Sequence, residues 1–293
     1  MIYQLISQRG LKADIRQACR VLQISRSGYY ATQRRVQSSV ICPASVQVKA
    51  AFEAHQRCYG SRRIVDTLRE QGLPLGRFKV RRLMREAALN PVWKKKFVNT
   101  TDSKHDLPVA DNLLNRQFNP PRSNQAWTSD ITYIRTQTGW LYLAAVMELH
   151  TRKIIGWAMD TTMPAELVCR ALRMAIGQRQ PQAGFILHSD RGSQYASHEY
   201  QALLKQHGII CSMSRKGNCW DNAVMERFFL NLKMERVWQR AYANQLEASK
   251  DVTDYIVGFY NSIRRHSALG NVAPLVYEQQ FAVKKPIEVS EIT

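Results

Sequence analysis

Acidic residues are scarce in this chain: 23 Asp and Glu stand against 42 Lys and Arg over 293 residues, a formal net charge of +19. That imbalance argues against acidic partners and points to a polyanion, of which nucleic acid is the commonest. Long apolar runs are missing too. None approaches the roughly 18 residues that a membrane-spanning helix requires, and "MIYQLISQRGLKADIRQACR" carries charges where a secretory signal would have its apolar core. The six cysteines form no CxxC pair, so neither a disulfide framework nor an ordinary zinc spacing from His55 and Cys58 or from Cys211 and Cys219 is indicated. They read as reduced, mostly buried thiols of a cytoplasmic protein. Internal repeats and low-complexity tracts are absent, and 45% hydrophobic content is ample for a folded core.

The basic charge is unevenly spread. Residues 1–125 hold 23 Lys and Arg against 8 Asp and Glu, whereas the rest of the chain holds 19 against 15. In the first part, "LKADIRQACRVLQISRSGYY" spaces Leu11, Ile15, Cys19 and Leu22 as a helix, followed by a turn into a second short helix. Further on, "ASVQVKAAFEAHQ", "YGSRRIVDTLREQG" and "GRFKVRRLMREAALNP" read as three helices. Gly72, Pro74 and Gly76 turn the chain between the last two, and Pro91 is expected to mark the end of the third. Two short helices joined in this way resemble a helix-turn-helix, whose second helix enters the DNA major groove. The candidate DNA-binding residues are Arg62, Arg63, Arg77, Lys79, Arg81, Arg82 and Arg85, followed by Lys94, Lys95 and Lys96. Neutralising phosphates with such a set makes binding strongly salt-dependent.

The pattern changes after a polar, proline-containing stretch with a short apolar island at Leu113, Leu114 and Phe118. "AWTSDITYIRT", "WLYLAAVMEL" and "KIIGWAMD" are β-rich runs suited to an antiparallel meander. A helix from Pro164, the strand "FILHSD", a helix capped by Ser197 and stopped by Gly208, the strand "IICSMS", a long helix from about Asp221 to Trp238 and a final helix then follow. Such an order makes an α/β unit with a mixed sheet and helices on both faces.

Three carboxylates hold notable positions: Asp130 within the first strand, Asp190 at the end of the fourth, and Glu226 on the long helix. If strands one and four are neighbours, the two aspartates sit side by side and the helix brings the glutamate across. Converging carboxylates repel one another, and hard divalent cations are what allow all three to stay ionised. A pair of such ions suits in-line displacement at phosphorus. On pattern alone the plainer readings stay open: a strand-end acceptor, a turn residue before Gly192 and a surface helix residue.

The words around these acids narrow the choice. "WTSDITYI", "LHSDRGSQYAS" and "GNCWDNAVMERFFLNLK", with "CRVLQISRSGYY", "YGSRRI", "NLLNRQF" and "YNSIRRHSALGNVAP", closely resemble the second-frame (Orf B) proteins of the insertion-sequence-three family, which are DDE transposases. The spacing of the family is present, with 35 residues between Asp190 and Glu226 and a lysine, Lys233, seven beyond the glutamate. Ser129 and Ala273 depart from the family pattern without touching an expected ligand.

The resemblance implies a ribonuclease H-like mixed sheet with flanking helices, of the retroviral-integrase type, preceded by an all-α helix-turn-helix region. The corresponding divisions are an N-terminal helical hairpin (1–42), a helix-turn-helix domain (43–96), a linker (97–122), the catalytic core with C-terminal helices (123–283) and a tail (284–293). It implies Asp130, Asp190 and Glu226 as catalytic residues and ligands of two Mg²⁺ ions, with Mn²⁺ as a substitute. Lys233 would hold a DNA phosphate, and His188, Gly192, Gln194 and Asn222 would support the site. The expected substrate is double-stranded DNA, namely terminal inverted repeats and target, acted on by a homo-oligomer close to the bacterial nucleoid. Fusion to an upstream-frame (Orf A) protein is a further implication; no membrane partner is implied. Two other readings compete: a nuclease of the same fold acting on RNA in hybrids, and a DNA-binding regulator that has lost catalysis.

Overall fold

The computed structural model describes residues 15–37, 42–92 and 107–283. The tail expected over 284–293, and Lys94, Lys95 and Lys96, lie outside the described residues. The chain begins with a helical pair, α1 (Ile15–Val21) and α2 (Arg26–Gln37). The Ser25 hydroxyl accepts the Gly28 N–H at 2.9 Å and so caps the second of them.

Three helices come next: α3 (Pro43–Ala54), α4 (Ser61–Glu70) and α5 (Arg77–Glu86). Their apolar faces meet around Val48, Phe52, Ile64, Leu68, Val80 and Leu83. Gly72, at φ +77°, turns the chain after α4 at little steric cost. The third helix does not run on to Pro91. Ala88 takes the left-handed conformation (φ 52°), and the N–H groups of Leu89 and Ala88 close on the carbonyls of Met84 and Arg85 at 2.8 and 3.1 Å. That double closure satisfies the last carbonyls and ends the helix five residues before the proline.

The remainder is built on a mixed five-stranded sheet of order β3-β2-β1-β4-β5. β1 (Ala126–Thr136), β2 (Gly139–Glu148) and β3 (Ile154–Asp160) form the antiparallel meander. The chain then passes through α6 (Ala165–Arg179) to β4 (Ile186–Ser189), and through the short α7 (Ser193–Ala196) and α8 (His198–Gln206) to β5 (Ile210–Met213). Both later strands are parallel to β1. This is the ribonuclease H-like arrangement, with α9 (Ala223–Glu235), α10 (Gln245–Asp254) and α11 (Pro274–Val283) completing the unit.

Alternation along β2 shows how the sheet is covered on both faces. Ala144 and Val146 join Trp127, Leu172 and Leu187 in the core under α6 and α8, whereas Leu143, Ala145 and Met147 join Met225, Phe228 and Tyr255 under α9 and α10. α6 approaches β3 closely because residue 156 is glycine: a Cβ there would lie 2.2 Å from the Ala171 carbonyl oxygen. Among the described residues no helix is long and apolar enough to cross a membrane.

One expectation needs correction. The helix drawn from Asp221 to Trp238 is three pieces: a 3-10 turn at Cys219–Asn222, α9, and a second 3-10 turn at Val237–Gln239. At the break, the buried Asp221 carboxylate accepts from Asn112, Arg116 and the Arg215 N–H, at 2.8, 2.8 and 3.0 Å, which holds it in the 3-10 turn.

The helix-turn-helix region and the sheet unit meet at Tyr59, whose hydroxyl accepts the Arg265 N–H at 2.6 Å, and at Glu70, which pairs with the Arg265 guanidinium. The close approach at Gly156 yields a test. Gly156→Ala forces β3 and α6 apart against backbone that cannot rotate away, and urea denaturation should register a loss of about 2 kcal/mol; an unchanged midpoint would mean that this glycine does not set the spacing.

Candidate active site

The register of two strands brings the aspartates together. β1 and β4 pair as Ala126 with Ile186, Trp127 with Leu187 and Thr128 with His188. Two residues further on stand Asp130, within β1, and Asp190, the first residue past the end of β4, near enough for the charge of Asp190 to act on Asp130. β4 ends at Ser189 while β1 continues to Thr136, so the sheet opens just where the carboxylates emerge. In parallel α/β sheets a crevice beyond the carboxyl ends of strands is where ligands bind.

The glutamate is brought to the same place by α9. Asn222, at the N-cap, accepts the Thr128 hydroxyl at 2.6 Å and donates to the Ser129 carbonyl at 3.3 Å. At the other end, the Lys233 ammonium lies 4.6 Å from the centre of the Tyr133 ring. From Asn222 to Lys233 a helix rises about 16 Å, and from Thr128 to Tyr133 a strand rises about the same. Helix and strand therefore run in step. Glu226, one turn after Asn222 and on its stripe, falls level with Asp130.

The electrostatics agree with this geometry. Burial pushes the Asp130 carboxyl well above the usual carboxylate range, and the charges of Asp190 and then Glu226 add to the rise; the Ile131 N–H, 2.8 Å from Oδ1, and Lys233 oppose it. Burial also raises Glu226. Lys233 is lowered by burial, with Asp130 pulling the other way. The oxygens of the three acids are not all within 4.8 Å of one another; among the described residues that compactness belongs to Glu166, Cys169 and Glu199. There Arg173 already pairs with Glu166 at 2.7 Å, and burial pushes the Cys169 thiol up to about 11, which makes it a poor ligand.

Residues 120–219 and 207–274 match family models described as integrase core domain, and residues 44–97 match one described as HTH-like domain. The chain is 40% identical over 287 residues to the transposase InsF for insertion sequence IS3A of Escherichia coli strain K12, covering 96% of this chain and 99% of that one. It belongs to the IS3 family of transposases. An insertion element IS600 protein of 31 kDa from Shigella sonnei, named as uncharacterized, is 43% identical over 268 residues, 90% of this chain and 98% of that one. Among solved structures, the catalytic core domain of BIV integrase is similar at 18% identity and a TM-score of 0.40, over 55% of this chain and 98% of that one. Like its family, this transposase is a polynucleotidyl transferase that acts in DNA transposition, and DNA is its partner.

The other residues singled out in the transposase sequence occupy distinct places. His188 is buried between the hydroxyls of Ser212 and Ser214, at 2.9 and 3.1 Å, and burial lowers its imidazole to about 4. It is a neutral strut of the sheet, out of reach of DNA. Gly192 donates its N–H to Asp190 Oδ1 at 2.9 Å. Its φ of −61° is ordinary, so glycine is not needed for the turn; what it supplies is room, because a Cβ would sit 3.1 Å from that oxygen. Gln194 donates to the Met163 carbonyl at 3.1 Å and ties α7 to the loop before α6. Asn222 holds β1 through Thr128 and Ser129.

Arg77, Lys79, Arg81, Arg82 and Arg85 are exposed along α5, with Arg82 3.6 Å from Glu86. Arg62 and Arg63 lie in the first turn of α4. Sequence reasoning missed Tyr195, which lies beneath the carboxylates with its hydroxyl 3.0 Å from Ser129 Oγ. Burial, followed by the charges of Asp130 and Asp190, raises its phenol. An aromatic three residues beyond Gly192, in an otherwise small and polar loop, was the available signal.

A carboxyl raised by the fold stabilises the folded state below its ordinary titration range and loses that contribution as pH rises through the folded value. Asp130→Asn keeps the acceptor for Ile131 and removes the charge. In chelator-treated protein the variant should melt a few degrees above the parent at pH 8, worth about 1 kcal/mol. The gap should narrow as pH falls to 5, and a variant melting below its parent at pH 8 would refute the crowding of charge at this position.

Proposed function

We propose that Asp130, Asp190 and Glu226 form the catalytic centre of this transposase and hold a pair of divalent cations, Mg²⁺ or Mn²⁺. The observation that carries this reading is α9 running in step with β1, so that Glu226 rides over Asp130 of β1 beside Asp190, which follows the adjacent β4. The donor set fits the cations: three carboxylates offer hard oxygens, and Asp130 stands in need of positive charge. Their spread beyond a single 4.8 Å cluster suits two ions about 4 Å apart. When bound, such a pair supplies activation of an attacking oxygen and stabilisation of a leaving oxygen at phosphorus.

The chain's own residues account for the rest. The exposed basic side chains of α5, with Arg62 and Arg63, bind the terminal inverted repeats of the element, chiefly through phosphates. Lys233, on the stripe of Glu226, steadies a phosphate next to the carboxylates. Two reactions follow: hydrolysis at an element end that frees a 3′-hydroxyl, and attack of that hydroxyl on a second phosphodiester. No serine is required as nucleophile, and Ser189 is unsuited, being buried with its hydroxyl donated to the Asp190 carbonyl at 3.0 Å.

Two element ends must be held together, which calls for a homo-oligomer on DNA, and the protein acts in the cytoplasm where the chromosome lies. Fusion to the upstream-frame protein belongs to the same reading. Asp190→Asn should leave duplex binding within twofold of the parent while lowering Mg²⁺-dependent cleavage of labelled element ends by at least about a thousandfold. Cleavage at the parental rate would exclude the carboxylate assignment. Breakdown of RNA–DNA hybrids without strand-transfer products would favour the hybrid nuclease.

A further inference from the structure

A cavity of about 620 Å³ separates the first turn of α4 from α9 and from the chain that follows α10. Arg62, Arg63, Arg77, Arg227 and Arg264 line it, against one carboxylate, Glu235. That carboxylate is already committed: Arg264 grips both of its oxygens at 2.7 and 2.8 Å, and the Tyr255 hydroxyl donates to it at 2.7 Å. Arg62, Arg63, Arg77 and Arg227 have no carboxylate partner among the described residues.

The start of a helix adds to the same sign of charge. α4 is ten residues long with Gly60 as its N-cap and no side chain capping it, and Gly60, Ser61 and Arg62 at its positive end line the cavity. Positive charge is crowded enough here to be felt by its neighbours. Burial lowers Arg63, and Arg264 lowers it further; burial, followed by Arg264, Arg152 and Arg63, holds the His266 imidazole down to about 3. His266 Nδ1 is buried without a hydrogen-bond partner.

The position of the cavity says which anion belongs in it. On α9, Glu226 and Lys233 share one stripe, whereas Arg227, Asn231 and Met234 share another about 100° round the helix, and the second stripe lines the cavity. One helix thus presents Glu226 on one side and a basic wall on the next. At its other end the cavity reaches Arg77, the first residue of α5.

We propose that this cleft is a phosphodiester-binding site that seats the DNA backbone between the recognition helix and the catalytic carboxylates. It fixes the distance from the sequence that is read to the bond that is cut, and it assigns Arg227 and the α4 N-terminus to the DNA backbone. The inference rests on the reading of Asp130, Asp190 and Glu226 as the centre that acts on DNA.

The test is the salt dependence of binding to a fluorescent duplex of random sequence. Arg62→Gln with Arg227→Gln, both at exposed positions, should weaken binding about tenfold or more and make the slope of log K against log salt shallower by about 0.9 for each phosphate no longer neutralised. Ser267→Glu, on the exposed rim, is the independent variant should the double variant not fold; it should weaken binding most at low salt. Wild-type affinity and slope in these variants would overturn the proposal, as would weaker binding with an unchanged slope. Asp190→Asn run alongside separates the two readings. If it still cuts DNA while the cleft variants lose slope, the catalytic assignment fails and the cleft stands; if it is inactive and the cleft variants bind normally, the reverse holds.

Discussion

The hydrogen bonds between Asn222 and β1 are the constraint on which the site depends. A helix packed on a sheet can slide along it, and a slip of one turn would carry Glu226 about 5 Å from Asp130. The Asn222 amide, gripping the Thr128 hydroxyl and the Ser129 carbonyl, removes that freedom at the point where α9 begins. The same residue terminates the preceding 3-10 turn, which Asp221 holds through Asn112, Arg116 and Arg215. Burial pushes the Asp221 carboxyl up, yet those hydrogen bonds prevail and keep it below the usual range. Asp221 is therefore an acid used to anchor, five residues from one whose carboxylate is left open.

The crowding of like charge at the crevice runs against stability, and the surrounding packing offsets it. β1 and β2 are covered on both faces, so the strand bearing Asp130 is held by two apolar cores. Tyr195 and Ser129 lie beneath the carboxylates and exclude water from one side. A scaffold of that stiffness can hold repelling groups at a separation that loose loops would relax, and relief is left to whatever cation enters.

Opposite charge is segregated with equal consistency. The surplus of Lys and Arg seen in the first 125 residues is spread over α5 and the start of α4, and it continues across the cleft through Arg227 and Arg264 of the sheet unit. The chain distance between Arg62 and Arg227 hid this continuity. A basic surface beside an acidic crevice is the distribution expected of a protein that must hold a polyanion while concentrating cations at one bond.

The sequence by itself determined the elements and the identity of the groups. Period-two runs marked β1 to β3, Ser197 marked the start of α8, and the words around Asp130, Asp190 and Glu226 singled out three acids among 23, because such features depend on neighbours in the chain. Helix ends were less legible: Pro91 drew the end of α5 too late, and Asp221 was assigned to a helix it does not join, since both boundaries are set by hydrogen bonds to distant or left-handed residues. Tertiary structure alone decided that Gly192 serves space and not a turn, that His188 is a strut, that Tyr195 underlies the carboxylates, and that Arg227 faces the same cleft as Arg62. Those outcomes depend on which strands become neighbours and on how a helix is phased against them, and neither quantity is carried by local periodicity.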